Sequence, residues 1–169
     1  YALLGAAWLI MKTEGALQAK AVHWAKLAWA PVVVGMLLIS LATPWISETV
    51  RERWFTLPAF IALSVIPVMT GLALVVARLI LDKPIVRGEL CWLPFVLLIS
   101  VFCLGFVGLA YSIYPYVVID QLTIWQAASS PAALKVILIG TCISVPAIAA
   151  YTVFSYKVFW GKATELRYG

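Results

Sequence analysis

Between Lys135 and Lys157 lies a run of 21 residues, Val136 to Tyr156, without one charged side chain. About 20 consecutive apolar residues in a helix cross the hydrocarbon core of a bilayer. Inside lipid the backbone must satisfy its own hydrogen bonds, which only a helix or a closed barrel does. The run is continuous and not alternating, so it reads as a spanning helix and not as a barrel strand. Its start is marked by Ser129-Ser130-Pro131. A serine at the N-cap accepts a hydrogen bond from a free N–H of the first turn, and proline at the first helical position has no N–H to leave unpaired. Its end is marked by Lys157, Trp160, Gly161 and Lys162, a basic and aromatic anchor.

Four further apolar runs precede it. Tyr1 to Met11 is too short to cross and has no basic segment before it, so it reads as the tail of a truncated span and not as a signal peptide. Leu27 to Ile46 carries Pro31 near its start and Pro44 near its end; Leu57 to Ala77 is opened by Thr56 and Pro58; Leu90 to about Pro115 has Pro94 in its first turn. The expected spans are about 25–46, 57–79, 90–115 and 132–157, after the truncated 1–11. The chain is 64% hydrophobic and 11% charged, with a mean hydropathy of +1.04, where a soluble domain carries about a quarter charged residues. The expectation is an all-α membrane protein: a four-helix transmembrane bundle plus the tail of a preceding span, in a single transmembrane domain over 1–169. Pro67 and Pro146 fall near mid-span and each removes one helix hydrogen bond, which reads as a packing kink.

The net charge of +5 does not indicate nucleic acid, because the basic residues sit at the ends of apolar runs. Placing the Lys12–Lys26 loop inside puts nine of the twelve on one side: Lys12, Lys20, Lys26, Arg78, Lys83, Arg87, Lys157, Lys162 and Arg167. Arg51, Arg53 and Lys135 fall on the other. This asymmetry places the C-terminus inside. Trp8, Trp24, Trp29, Trp92 and Trp160 then lie near inner ends, and Trp45, Trp54 and Trp125 near outer ends, as an aromatic belt does. The segment from Lys12 to Lys26 reads either as a short interfacial helix or as an extension of the second span.

The acidic residues Glu14, Glu48, Glu52, Asp82, Glu89, Asp120 and Glu165 all lie at or between the ends of runs. A proton pump or ion-coupled carrier needs an ionisable group inside the membrane, and the four complete spans show none. His23 beside Trp24 reads as an interfacial histidine, and Cys91, Cys103 and Cys142 as small apolar side chains without metal-ligand spacing. No phosphate loop and no Ser/His/Asp set is present. The polar loop with Asp120, Gln121, Trp125 and Gln126 is either a contact surface or a loop tucking an aromatic anchor back into the membrane. Trp125, Gln126, Tyr114 and Tyr116 are the candidate interface; no catalytic, cofactor-binding or metal residue is identified.

Several segments carry a family resemblance: Leu9-Ile10-Met11-Lys12-Thr13-Glu14-Gly15-Ala16-Leu17, Tyr114-Pro115-Tyr116, Leu122-Thr123-Ile124-Trp125-Gln126-Ala127-Ala128-Ser129-Ser130-Pro131, and Ala150-Tyr151…Tyr156…Phe159-Trp160-Gly161-Lys162. In order and spacing they resemble subunit II of the cytochrome bd-type quinol oxidases, including the cyanide-insensitive branch. The resemblance covers essentially the whole chain but only the C-terminal half of the family's length. It implies the second of two similar helical halves, in a multi-pass protein of the bacterial inner membrane. It also implies a homologous partner, subunit I, which carries haems b and d and the quinol-oxidising loop. That oxidase passes electrons from quinol to dioxygen. Subunit II supports assembly and, in some members, holds a structural quinone or a small extra subunit. The family's acidic residues linked to proton uptake lie in the other half, so none is carried over, and Gln126 does not support an acidic role.

The resemblance therefore implies an accessory, non-haem subunit of a quinol:oxygen oxidoreductase. Half of a secondary transporter would also fit kinked spans and a missing partner half, but the absence of mid-membrane charge argues against it. A purely structural membrane anchor is the third reading.

Overall fold

The computed structural model describes residues 1–162 apart from Ser47, Pro58, Ile119 and Asp120. The loop acid Asp120, the helix-opening Pro58, and Glu165 and Arg167 thus lie outside the described residues. Two compact units result, one of residues 1–114 with 162–169 and one of residues 115–161.

The first unit begins with α1, Ala2–Lys12. A helix leaves its last four carbonyls without intrahelical donors, and here side chains supply them. Thr13 donates its hydroxyl to Leu9 O at 2.7 Å, and Gln18 Nε2 donates to Ile10 O at 2.9 Å. The chain turns through Gly15, whose φ of +64° is the left-handed region glycine enters most easily. From there α2, Gly15–Ile46, runs for 32 residues. At 1.5 Å per residue it is about 48 Å long, well beyond the ~30 Å hydrocarbon core. The Lys12–Lys26 segment is therefore an extension of the second span and not a separate interfacial helix. Pro31 and Pro44 both lie inside α2.

A short helix, α3, Glu48–Phe55, leads to α4, Ala59–Leu81. A 3-10 turn over Pro84–Arg87 leads to α5, Leu93–Ile113. The core lies where α1, α2, α4 and α5 meet. Ala6, Ala7 and Ile10 of α1 are buried with Ala21, Val22 and Ala25 of α2, with Ala73 and Leu74 of α4, and with Leu98 and Val101 of α5. The preponderance of alanine has a physical cause. Lipid is as apolar as leucine, so helices in it are held by close approach, which small residues permit. Gly108 shows this on α5: a Cβ there would lie 3.3 Å from Ile66 Cγ2 of α4. Two indole N–H groups add polar clasps. Trp29 of α2 donates to Leu74 O of α4 at 2.9 Å, and Trp54 of α3 donates to Ser112 Oγ of α5 at 3.0 Å.

The second unit opens with a two-stranded antiparallel hairpin. β1, Tyr116–Val118, pairs with β2, Leu122–Thr123, setting Tyr116 opposite Thr123 and Val118 opposite Leu122. A single turn of helix, α6, Ile124–Ala127, follows. The unit ends in α7, Pro131–Val158. As the sequence indicates, Ser130 caps α7, its Oγ accepting from Ala133 N at 3.4 Å. The fold is all-α and membrane-spanning; among the described residues four helices are long and apolar enough to cross, α2, α4, α5 and α7. The hairpin is too brief for its alternation to be read in advance.

Candidate functional site

The segment singled out by the sequence folds as a hairpin braced by a helical turn. Ile124 N–H donates to Pro115 O at 2.9 Å, closing the base of the hairpin. Thr123 and Gln126 then form a reciprocal capping box. Thr123 N–H donates to Gln126 Oε1 at 3.0 Å. Gln126 N–H in turn donates to Thr123 Oγ1 at 3.4 Å. This is the arrangement that a Thr-x-x-Gln spacing favours at a helix start, so the Gln126 amide oxygen is engaged in holding α6 together. The box fixes the turn that carries Trp125, whose side chain is 64% exposed. Tyr116, Trp125 and Gln126 are thereby gathered in one unit. Tyr114 belongs to the other, where it ends α5 and is also exposed.

A second polar arrangement lies in the first unit, just beyond the end of α4. Asp82 Oδ1 takes Lys26 Nζ at 2.8 Å and Arg78 NH1 at 2.7 Å. The hydrogen bond from Lys26 holds the Asp82 carboxyl below its ordinary value of 3.8; desolvation opposes this, and Arg78 adds to the lowering. The group ties α2 to α4 at one membrane face. The Arg78–Asp82 half was readable as an i,i+4 pair; Lys26 enters only through helix packing, which the sequence does not display. The tryptophan clasps are hidden in the sequence for the same reason. An indole that serves a belt and one that ties two helices have the same position in a sequence.

His23 is exposed on α2, and the three thiols are free, Cys91 half-buried and Cys103 and Cys142 exposed. Among the described residues no three of His, Cys, Asp and Glu come together as metal ligands.

Residues 1–159 match the family of cytochrome bd terminal oxidase subunit II. The chain belongs to that family. It is thus a respiratory oxidase subunit and sits in a quinol-oxidase, oxidoreductase context. No curated protein matches the chain. The family serves a haem-containing complex. His23 stands exposed on α2, and the thiols of Cys91, Cys103 and Cys142 lie on separate segments. What this subunit II chain does offer is spanning helices, a braced hairpin carrying aromatic groups, and a charged tie between α2 and α4.

Proposed function

We propose that this chain is the accessory subunit of a cytochrome bd-type quinol:oxygen oxidoreductase, supporting the assembly and stability of a haem-bearing partner. The family match over residues 1–159 carries this reading. The length and apolar run of α7, enough to cross a membrane, support it as a subunit that lies in the bilayer. In this reading haems b and d and quinol oxidation belong to the partner, and any quinone held near this chain is structural. The chain lies in the bacterial inner membrane with its C-terminus in the cytoplasm, a placement supported by the nine-to-three division of basic residues. It is the C-terminal half of a two-part helical subunit, and Trp125, Gln126, Tyr114 and Tyr116 contribute to the contact with the partner.

The test is purification of the complex through a tag on this chain, followed by a reduced-minus-oxidised difference spectrum. Bands of haems b and d are expected; a complex lacking both contradicts the proposal. In the same preparation Trp125→Ala should lower the haem recovered per tagged chain. The ring is 64% exposed in the chain itself. A loss of haem with the tagged chain still inserted and of unchanged thermal stability would report a contact with the partner, where aromatic anchors typically carry about 2 kcal/mol or more. Unchanged recovery would remove Trp125 from the interface.

A further inference from the structure

A cleft of about 510 Å³ opens between the last turns of α2 and α3. Ser40, Leu41, Pro44 and Trp45 line it from α2, and Arg51, Trp54 and Phe55 from α3. On each helix these residues recur at three- and four-residue spacing, so each presents one face to the gap. Because α3 joins two spanning helices, the cleft sits at one boundary between hydrocarbon and water. Tryptophan rings favour that level, and two of the lining residues are tryptophans.

Three features of the cleft point to one kind of occupant. Arg51 brings a planar guanidinium, whose fork of donors matches phosphate oxygens. Its five N–H groups allow a phosphate to be held alongside a protein partner. Pro44 brings no N–H, so the carbonyl of Ser40 lacks the donor a helix normally supplies from four residues on. That carbonyl, with the Ser40 hydroxyl beside it, offers acceptors to a headgroup hydroxyl or ammonium. Trp54, in contrast, has its N–H donated away from the gap, to Ser112 Oγ at 3.0 Å. Ser112 in turn donates to Gly108 O at 2.8 Å. The Trp54 ring is thus a fixed apolar wall, with its polar edge satisfied inside the helix packing. Leu41, Trp45 and Phe55, all largely exposed, continue the apolar surface outward.

We infer that this cleft holds a membrane phospholipid, with its phosphodiester on Arg51, its headgroup donor at Ser40, and its acyl chains along Leu41, Trp45 and Phe55. The site is independent of haem or quinol chemistry and selects for the phosphate.

Native mass spectrometry of the detergent-purified complex tests this, with added phosphatidylglycerol in one arm and diacylglycerol of the same chains in the other. The wild type should take up one phospholipid that Arg51→Gln binds about tenfold more weakly or worse, the scale of losing a charge-assisted hydrogen bond. Arg51→Lys should retain part of that affinity. Pro44→Ala, which returns an N–H to the Ser40 carbonyl, should weaken phosphatidylglycerol binding by a smaller factor. It leaves the charge in place and carries the test should Arg51→Gln fail to assemble. Diacylglycerol, lacking the phosphate, should not compete. Equal uptake by Arg51→Gln and Pro44→Ala overturns the inference. So does binding of diacylglycerol as strong as that of phosphatidylglycerol, or cross-linking of Ser40→Cys to another protein subunit seated in the cleft.

Discussion

Helices α5 and α7 are made of similar material, yet they differ in what surrounds them. Each holds an uncharged apolar run, over the whole of α5 and over Val136 to Tyr156 of α7, and both carry glycine. In α5, Leu98, Val101 and Ser112 are buried and Gly108 stands against Ile66 of α4. In α7 no described residue is buried, and a Cβ at Gly140 would meet nothing within 4 Å. Hydrophobicity does not separate the two, because leaving lipid for another apolar surface gains little. What distinguishes α5 is fit: a bare backbone at Gly108, and a hydroxyl at Ser112 that receives the Trp54 N–H. Apolar composition therefore places a helix in the membrane, while within the first unit close approach at small residues and directed hydrogen bonds hold the packed helices together.

The comparison is broken most sharply by enlarging the two glycines. Gly108→Leu forces a branched side chain into a contact already at 3.3 Å for a Cβ. Overpacking of this kind typically costs about 1–3 kcal/mol. The melting temperature of the purified complex should fall clearly. Gly140→Leu should leave the fold of the second unit unchanged, since a Cβ there meets nothing within 4 Å. If Gly140→Leu instead releases the partner while the chain still inserts, the open face of α7 is an interface. If Gly108→Leu melts like the wild type, the close approach of α4 and α5 is not what holds them.

A smaller effect is expected from Trp29→Phe. The ring volume is largely kept, but the N–H donated to Leu74 O is lost. Hydrogen bonds between membrane helices average about 0.6 kcal/mol. A modest drop in thermal stability of the complex checks this; a drop as large as that from Gly108→Leu would mean the polar clasp, not the close approach, dominates.

The smallest effect concerns Asp82. Its folded carboxyl is held below 3.8, mainly by Lys26. A depressed carboxylate stabilises the fold above the unfolded pKa, and the contribution vanishes as pH falls through the folded value. Wild type and Asp82→Asn should therefore differ slightly in melting temperature at neutral pH and converge below about pH 4. The group is half exposed, so added salt should shrink the difference as well. A gap that widens in acid would contradict the ion pair as its source.

The sequence displayed the spans plainly, because a run such as Val136 to Tyr156 between two lysines has few physical readings. It also displayed the Ser130 cap, since a cap is a local device. The Thr123/Gln126 box is equally local, and its Thr-x-x-Gln spacing lies within a segment that otherwise reads as a polar loop. The Lys26–Asp82 tie, the Trp54–Ser112 bond and the cleft at Arg51 were not legible. Each joins residues that only helix packing or a chain reversal brings together, and no periodicity in one segment encodes its partner in another. The candidate interface residues were chosen for their chemistry. Three of them fall in one unit, Tyr116 on β1 and Trp125 and Gln126 on the braced turn, where the Gln126 amide oxygen is part of the brace.

In the proposed reading this chain supports a haem-bearing partner without ligating a haem itself. The most direct measurement is haem content per complex for the combined variant His23→Ala, Cys91→Ser, Cys103→Ala and Cys142→Ala. That variant removes the one histidine and all three thiols. The account predicts the full set of b and d bands, and oxidase activity close to wild type, in a complex purified through this chain. Loss of a haem band from a complex that still contains both subunits would make this chain a ligand-bearing subunit and contradict the account.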